Sequence, residues 1–407
     1  MAVGVASVSL GAQDVRLFPR EDTRFTYLAK NRGKGIRRLY HADNIDVLNA
    51  LLYDEDVCGK VNLIYIDPPY NTGGSFETTN FKFAYNDRFA LNNYLSFMRQ
   101  RLTLMHRLLS DEGSIYVHLD SNMLFHVKLM LDDIFGMQNF KSMITRRKCK
   151  PKNFTRKTYG DISDYILFYS KTDRPVWNRP YEQWSEEKIK KEYPYIEEGT
   201  GRRYKKVPIH APGTRGGATG TAWRGKMPPK GKHWQYTPEK LDELDAKGEI
   251  YWSANGNPRR KVYLDQSCGL PVQNIWLDYL DVDNQNTLVT GYPTEKNLDM
   301  LKRIVATSSR PGDIVLDCFA GSGTTLVAAE ELGRQWIGVD VGKEAINTIV
   351  NRFKHGRSPM GDYVKAKTNE PKETGRLFND EDFETTETNS KRIAAHGAVS
   401  FDLIEEK

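Results

Sequence analysis

Apolar runs and helix-spaced apolar positions alternate in the first half of the chain. Val61–Ile66 is short, apolar and β-branched, which is typical of a buried strand, and it stops at residues 67–70. Apolar residues then recur at helical spacing over 91–109, a second apolar strand follows over 113–119, and a second amphipathic helix over 122–135. This alternation predicts a parallel, doubly wound α/β sheet.

The same alternation returns near the C-terminal end of the sequence. Residues 296–308 predict a helix and residues 312–317 a strand. A glycine-containing loop over 318–325 joins this strand to a helix at 325–332, and a further strand at 336–340 ends on a carboxylate. We therefore predict that the two segments are two halves of one sheet.

The composition changes between and beyond these two halves. Tyr, Trp, Pro, Gly and basic residues dominate the middle of the chain, where periodicity is poor, which indicates an inserted module. Residues 370–387 are mostly acidic and predict a flexible tail, whereas 399–404 are apolar enough to dock. The predicted regions are an N-terminal extension (1–35), a first half of the α/β domain (36–171), an inserted module (172–285), a second half (286–357) and a C-terminal tail (358–407).

Composition restricts the class of protein. The chain has 407 residues, of which 39% are hydrophobic, so it can bury a full core, yet no run approaches the roughly 20 apolar residues of a membrane span. The four cysteines form no CxxC pair and the eight histidines no HExxH pair, so we predict neither a metal site nor a disulfide framework, and a reducing cytoplasm. The net charge of +6 is modest, so only its distribution can indicate nucleic acid.

The glycine loop carries the first chemical signal. Phe319-x-Gly321-x-Gly323 follows a strand and opens a helix, where glycines permit close approach and the helix N-terminus offers free N–H groups. Asp340 ends the next strand, a position that commonly binds ribose hydroxyls. No Walker lysine follows, and Leu326 stands where a third glycine would complete GxGxxG. The pattern indicates a nucleoside-bearing cofactor without phosphates, although the loop alone also fits a plain βα turn.

Asp67-Pro68-Pro69-Tyr70 carries the second signal, at the carboxyl end of a predicted strand. The two prolines make the loop stiff. An exocyclic amine on a base is a poor nucleophile because its lone pair is delocalised into the ring. Hydrogen bonds accepted by Asp67 and by the Pro68 carbonyl would raise the electron density on that nitrogen, and Tyr70 could stack on a flipped base. A structural turn beside a core tyrosine is the alternative.

Charge is distributed unevenly. Residues 141–160 and 201–238 contain basic but no acidic side chains, and aromatic residues are interleaved in the second stretch. A charge run is usually a solvated face, but two such runs around an aromatic module favour a surface that binds a duplex. The residues predicted to contact DNA are Arg146, Arg147, Lys148, Lys150, Arg202, Arg203, Arg224, Trp223 and Trp234.

The tetrapeptide and the Phe-x-Gly-x-Gly loop, in this order, resemble the β-class amino-methyltransferases of DNA. The surrounding sequence is similar to adenine-N6 enzymes of type III restriction–modification systems, over roughly residues 36 to 353. The resemblance implies an α/β, Rossmann-like S-adenosylmethionine-dependent methyltransferase fold with a mostly parallel, seven-stranded sheet, in which residues 172–285 form a target-recognition region. It implies direct methyl transfer to N6 of adenine in double-stranded DNA after base flipping, with no metal.

The resemblance also implies roles for single residues. Asp67, Pro68, Pro69 and Tyr70 would form the catalytic loop. The implied cofactor-binding residues are Asp43, Asp67, Thr294, Lys296, Phe319, Gly321, Gly323, Thr324 and Asp340. Asp43 would lie near the cofactor adenine, with a helix N-cap as the alternative. Thr294 and Lys296 would bind the methionine end, where a lysine can pair with the carboxylate; a solvated lysine at a helix start is the alternative.

Several alternatives stay open. The same loop geometry permits cytosine-N4 methylation, although aspartate at the first loop position favours adenine. Methylation of RNA is a second alternative, and a catalytically silent DNA-recognition subunit is a third, against which the intact Asp67 argues. The implied partners are double-stranded DNA, a second copy in a homodimer, and either a restriction subunit or none. No membrane is implied.

Overall fold

The computed structural model describes most of the chain but not all of it. The described residues are 8–10, 13–15, 25–29, 33–70, 75–77, 83–86, 91–151, 157–281, 288–289, 292, 295–356, 358–359 and 399–406. The predicted flexible tail over 370–387 and the predicted cofactor residue Thr294 lie outside them. Within this part of the chain, no helix is long and apolar enough to cross a membrane.

The described residues belong to two compact units. The first comprises those within Met1–Pro180, Gln273–Pro371 and Asp380–Lys407, and the second, here called the module, comprises those within Tyr181–Val272. The module lies inside the inserted region that the sequence predicts at 172–285.

Ten strands form the main sheet of the first unit within the described residues. They are β1 (Phe25–Ala29), β2 (Arg37–His41), β3 (Val61–Ile66), β4 (Leu109–Leu119), β5 (Phe140–Arg147), β6 (Ser163–Ser170), β7 (Ile275–Trp276), β8 (Ile314–Asp317), β9 (Gln335–Asp340) and β10 (Asp402–Glu406). Their order across the sheet is β7-β5-β6-β4-β3-β8-β9-β2-β10-β1.

Most neighbouring strands of this sheet are parallel. The exceptions are β6, which is antiparallel to both β4 and β5, and β1, which is antiparallel to β10. The prediction of a mostly parallel α/β sheet is therefore confirmed. The sheet is wider than the predicted seven strands because β7 extends one edge while β10 and β1 extend the other. The expectation that 399–404 dock is met by β10, which pairs in parallel with β2.

Eight α-helices are described. They are α1 (Asn44–Leu51), α2 (Leu91–Leu108), α3 (Leu124–Phe135), α4 (Glu186–Glu192), α5 (Pro238–Ala246), α6 (Leu298–Ser308), α7 (Thr324–Glu331) and α8 (Lys343–His355). Short 3-10 helices occur at Met137–Asn139, Ala218–Gly220 and Leu264–Gln266. The remaining strands are Val8–Leu10, Gln13–Val15, Ser75–Glu77, Phe83–Asn86, Tyr181–Glu182, Tyr195–Ile196, Arg203–Pro208, His210–Pro212, Lys232–Trp234, Ile250–Trp252, Pro258–Tyr263, Leu270–Pro271, Leu288–Val289 and Ser358–Pro359.

The central strands are buried because the sheet is parallel and covered on both faces. Ile64 and Ile66 of β3, Leu316 of β8 and Ile337 of β9 share one apolar cluster and have no exposed surface. Strand β8 pairs in parallel with both β3 and β9. The carboxyl ends of these three strands therefore lie side by side, and ligands of open α/β sheets bind at such an edge.

The module has a sheet and a small core of its own. Four antiparallel strands pair in the order Tyr195–Ile196, Arg203–Pro208, Pro258–Tyr263, Ile250–Trp252. Its buried apolar cluster contains Trp223 and Trp234 together with aliphatic side chains. Because the module contains few aliphatic residues, these tryptophans supply much of its buried apolar surface.

Candidate active site

Three carboxylates lie at the adjoining carboxyl ends of central strands. Asp67 directly follows β3, Asp317 ends β8 and Asp340 ends β9. The pKa of Asp317 is raised to about 7, mainly by burial and also by the nearby charges of Asp67 and Asp340, while hydrogen bonds from Thr325 and Phe319 act in the opposite direction. Burial also raises the pKa of Asp340. A cationic ligand bound at this edge would favour the ionised form of Asp317, because an opposite charge lowers the pKa of a carboxyl group.

Asp317 was not among the residues predicted from the sequence. Its side chain is only 2% exposed, and one carboxylate oxygen accepts a hydrogen bond from the Phe319 N–H at 3.0 Å. The signal that could have found it is the one used for Asp67 and Asp340: an acidic residue that ends an apolar strand and precedes a functional loop.

Both carboxylate oxygens of Asp67 have partners inside the protein. The Tyr70 hydroxyl donates to Oδ1, and the ammonium group of Lys296 lies 2.5 Å from Oδ2. Burial works against the charge on Lys296, but Asp67 and Asp281 raise its pKa, so the lysine is a cation. The structure thus brings together Asp67, Tyr70 and Lys296, which the sequence had placed in two separate motifs. Lys296 is buried, unlike the solvated lysine of the alternative interpretation.

A chain of buried polar groups, here called the polar network, lies behind the catalytic loop. The Tyr70 ring lies next to the His118 ring, with 6.4 Å between the centroids. His118 Nδ1 lies 2.7 Å from the Tyr65 hydroxyl, and Nε2 lies 2.9 Å from Oδ2 of Asp164. Arg146 joins the other side of Asp164, with Nε donating to Oδ1 at 2.8 Å.

The polar network reaches the lysine of the site through Asp281. Arg146 Nη2 lies 2.8 Å from Oδ1 of Asp281, whose charge also acts on Lys296. Burial tends to raise the pKa of Asp164, but His118 and Arg146 lower it well below its usual range. Asp164 is therefore ionised, and it holds His118 in place beneath Tyr70.

The glycine loop is fixed by backbone hydrogen bonds to Asp340. The Gly321 N–H donates to Oδ2 and the Gly342 N–H to Oδ1, both at 2.8 Å. Gly321 and Gly323 have φ angles of 50° and 74°, the left-handed region that favours glycine. Arg352 donates to the Ser322 carbonyl at 3.0 Å and to the Thr324 hydroxyl at 2.9 Å, which braces the start of α7.

Asp43 lies close to this loop and also caps a helix. It accepts a hydrogen bond from the Ile45 N–H at 3.1 Å and pairs with Arg101 at 2.8 Å. The next residue, Asn44, donates to the Cys318 carbonyl at 2.7 Å. The N-cap interpretation of Asp43 is therefore confirmed, and its neighbour connects the cap to the loop.

Comparison with known proteins agrees with this geometry. Residues 61–351 match the family described as DNA methylase. The chain is 49% identical to the type II methyltransferase M.EcaI of Enterobacter cloacae, over 83% of this chain and 74% of that protein. The chain belongs to the DNA methylase family. This family transfers methyl groups from S-adenosylmethionine, which is the cofactor of this DNA methylase.

Two further relatives show the range of the family. The Mod subunit of the type III restriction–modification enzyme StyLTI from Salmonella typhimurium is 31% identical over 77% of this DNA methylase and 52% of its own length. The chain thus spans about half the length of that relative. The DNA adenine methyltransferase YhdJ of Escherichia coli is 23% identical over 82% of this chain and 85% of that protein.

The side chains at the strand ends fit this cofactor. S-adenosylmethionine carries a cationic sulfonium and a cationic ammonium group, and the acidic side chains at the edge of the sheet are suitable partners for such charges. At Gly321, the nearest atom to a hypothetical Cβ is Cε1 of Tyr292 at 3.5 Å, so the loop leaves room for close approach of a ligand.

The predictions that Arg146, Trp223 and Trp234 of this DNA methylase contact DNA are wrong, because all three side chains are buried. Arg146 has no exposed surface and is held by Asp164 and Asp281, so it cannot contact a phosphate in this conformation. Trp223 and Trp234 are each 2% exposed and form part of the module core, so they cannot contact bases.

Two other arginines that were predicted to contact DNA form ion pairs with carboxylates from outside the basic stretch 201–238. Arg202 pairs with Asp265 at 2.6 Å, and Arg224 pairs with Asp242 at 3.0 Å. The stretch 201–238 contains no acidic residue, but acidic residues from outside it pair with two of its arginines in the folded protein.

The remaining predicted contacts are more accessible. Arg203 is partly buried and donates to the Tyr193 carbonyl at 3.3 Å, and Lys148 lies 3.2 Å from Asp161. Arg147 is partly buried and Lys150 is exposed. DNA contacts by Arg147, Lys148, Lys150 and Arg203 stay predictions.

Gly323→Ala is expected to destabilise the DNA methylase by about 1–3 kcal/mol and to weaken cofactor binding. A Cβ at this position would lie 2.8 Å from Cγ1 of Ile349, on a backbone with φ of 74°. Gly312→Ala is the matched control, because Gly312 has φ of 86° but no atom within 4 Å of its Cβ position. Urea unfolding and calorimetric titration with S-adenosylmethionine measure both effects. Equal results for the two variants would contradict the role assigned to crowding at Gly323.

The buried Asp317 predicts a pH-dependent stability. Its pKa is about 7 in the folded protein and about 4 in the unfolded chain. Between these pH values only the folded state keeps the proton on Asp317. The contribution of this proton to the free energy of unfolding is therefore complete below about pH 4 and is lost as the pH rises to about 7. Asp317→Asn lacks this loss, so its stability relative to wild type should increase from about pH 4 to 7 and then level off. Urea unfolding across this range tests it, with the exposed Asp278→Asn as control; parallel curves for Asp317→Asn and wild type would refute the assignment.

Proposed function

We propose that this DNA methylase transfers a methyl group from S-adenosylmethionine to N6 of adenine in double-stranded DNA. The observation that carries the proposal is the placement of Asp67, Pro68 and Tyr70 at the sheet edge beside Asp317 and Asp340. Aspartate at the first loop position favours adenine, and a relative of similar length is described as a DNA adenine methyltransferase.

The strand-end residues and the glycine loop would hold the cofactor. Bound S-adenosylmethionine supplies a methyl group on a positively charged sulfur, which makes that group electrophilic. Asp340 would bind the ribose hydroxyls, because each of its oxygens keeps a second lone pair beyond its bond to a backbone N–H. Asp317 would face the cationic methionine end, and Asp43 would lie near the adenine. Phe319 and Gly321 would line the cofactor between them.

Lys296 would serve two anions. It neutralises Asp67 in this structure, and a cofactor carboxylate would be a second partner for its ammonium group. A lysine held by Asp67 would thereby keep the methionine end beside the catalytic loop. Lys296 is thus assigned as the residue that couples the two motifs.

The catalytic loop would act on the target amine through its acceptors. Asp67 would exchange its bond with the Tyr70 hydroxyl or with Lys296 for an N–H of the base, and the Pro68 carbonyl would accept the other N–H. These two bonds direct the nitrogen lone pair outward and make it a better nucleophile. The Tyr70 ring would stack on the flipped base, supported from behind by His118. After transfer the nitrogen loses a proton, which Asp67 or water accepts.

Nucleoside analysis tests the proposed base. Unmethylated duplex DNA is incubated with the protein and S-adenosylmethionine, digested, and analysed by mass spectrometry. We expect 6-methyladenine. Appearance of 4-methylcytosine without 6-methyladenine would instead establish the cytosine-N4 alternative, and methylation confined to an RNA control would exclude DNA as the substrate. A restriction subunit and a homodimer stay predictions from the family resemblance.

A further inference from the structure

One face of the module sheet combines tyrosine and basic side chains. Lys206 lies directly opposite Lys261, and Tyr251 directly opposite Arg259, across antiparallel strand pairs. Opposed residues share a face, as do residues two apart along a strand. The side chains on this face include Tyr195, Lys206, Tyr251, Arg259, Lys261 and Tyr263.

Lys206 is held between two of these tyrosines. Its ammonium nitrogen lies 3.7 Å from the centroid of the Tyr195 ring and 3.5 Å from that of Tyr251. Such cation–π contacts fix the position of the charge without neutralising it. Tyr195 is 42% exposed, so the charge is held at the surface.

The carboxylates near this face are used by other cations. Glu197 pairs with Lys261 at 2.7 Å, and Glu249 lies 3.6 Å from Arg260. In contrast, within the part of the chain that the structure describes, no carboxylate forms an ion pair with Lys206 or Arg259. Lys206 and Arg259 therefore keep their positive charge on this face.

A second strand pair extends the same positive region. Lys232 and His210 belong to the hairpin His210–Pro212 with Lys232–Trp234, and Lys232 has no ion pair with a described carboxylate. Pro208 pairs with Arg259, and His210, two residues further along the chain, begins this hairpin, in which Pro212 pairs with Lys232. The charges of Lys232 and Arg259 lower the pKa of His210 in addition to the effect of burial. Lys232 and Arg259 are both exposed. We call Lys206, Lys232 and Arg259 the basic strip.

We propose that the basic strip binds the sugar–phosphate backbone of duplex DNA; this inference rests on the proposed function. Unneutralised, fixed lysine and arginine side chains at a surface release counterions when they meet phosphates, whereas paired cations such as Arg202 and Arg224 gain less because they already have partners. Phosphate contacts fix the position of a protein on DNA and carry no base sequence themselves. The basic strip thus orients the module, and it replaces the tryptophans and paired arginines as the DNA-contacting set.

Salt dependence of DNA binding tests the basic strip. Binding of the full-length protein to two 30-base-pair duplexes of unrelated sequence is measured between 50 and 200 mM KCl. The double variant Lys206→Gln, Arg259→Gln should bind both duplexes more weakly, to the same degree, and its slope of log K against log salt should be smaller by about 2. Lys206→Arg together with wild-type Arg259 should keep the wild-type slope, because it keeps the charge.

Controls separate the surface from the fold and from the proposed reaction. Lys240→Gln removes an exposed lysine of the module that is paired with Glu243 at 2.6 Å, and it should leave the slope unchanged. Unaltered melting temperature and cofactor affinity of the double variant show that the fold is intact. An unchanged slope in the double variant overturns the inference even if the wild type methylates adenine. A reduced slope supports it even if nucleoside analysis finds a different methylated base.

Discussion

Asp67→Ala is expected to reduce the rate of methyl transfer at saturating cofactor by about 10²–10³ or more. The Asp67 carboxylate directly follows β3 and is the proposed acceptor that raises the electron density on the target nitrogen. Single-turnover transfer of a labelled methyl group to duplex DNA measures the chemical step directly. A rate near that of wild type would remove Asp67 from the mechanism.

Variants of Tyr70 distinguish catalysis from local structure. Tyr70→Phe loses the hydroxyl that donates to Asp67 but keeps the ring beside His118, so we expect a loss of less than about tenfold. Tyr70→Ala removes the stacking surface and should weaken binding of the flipped base, which base–aromatic stacking stabilises by about 1–3 kcal/mol. If both variants were equally impaired, the hydroxyl rather than the ring would be the important group.

The sequence predicted the centre of the fold well because parallel strands are encoded locally. A strand buried on both faces must be a continuous apolar run, so β3 agrees with the predicted bounds and β9 begins one residue before the predicted start. The edge strands β7 and β10 could not be predicted in this way. They contain two and five residues, and pairing with a distant strand makes them strands.

The strand-end carboxylates and loops of the candidate site could also be predicted from the sequence, because each lies at the end of a predictable strand. Asp317 was missed although it follows the same rule. The ion pairs could not be predicted from the sequence, because their two side chains lie far apart in the chain. The Lys296–Asp67 pair joins two motifs, and Arg146 finds its carboxylates 18 and 135 positions away. A basic run in sequence therefore says little about which of its charges are free.

Arg146→Met is expected to destabilise the protein by about 3–5 kcal/mol, which makes it the largest stability effect predicted for this chain. Arg146 is completely buried, and its guanidinium bonds to Asp164, Asp281 and the Tyr279 carbonyl. Removing one partner of a buried pair leaves the other charge unpaired in a medium of low polarity. Urea unfolding monitored by circular dichroism measures the loss. Arg147→Met is the control on the same strand, and it should cost less than about 1 kcal/mol because this side chain is only partly buried.

A double-mutant cycle shows whether the cost comes from the unpaired carboxylate. Asp164→Asn in the Arg146→Met background removes the buried charge that the first substitution leaves behind. The double variant should therefore lose about 1–3 kcal/mol less unfolding free energy than the sum of the losses of the two single variants. The same cycle reports on function, because Asp164 also holds His118 beneath Tyr70. Additive losses would mean that Arg146 acts through packing alone. Coupled losses accompanied by a slower methyl transfer at full cofactor saturation would show that the polar network holds the catalytic loop in place.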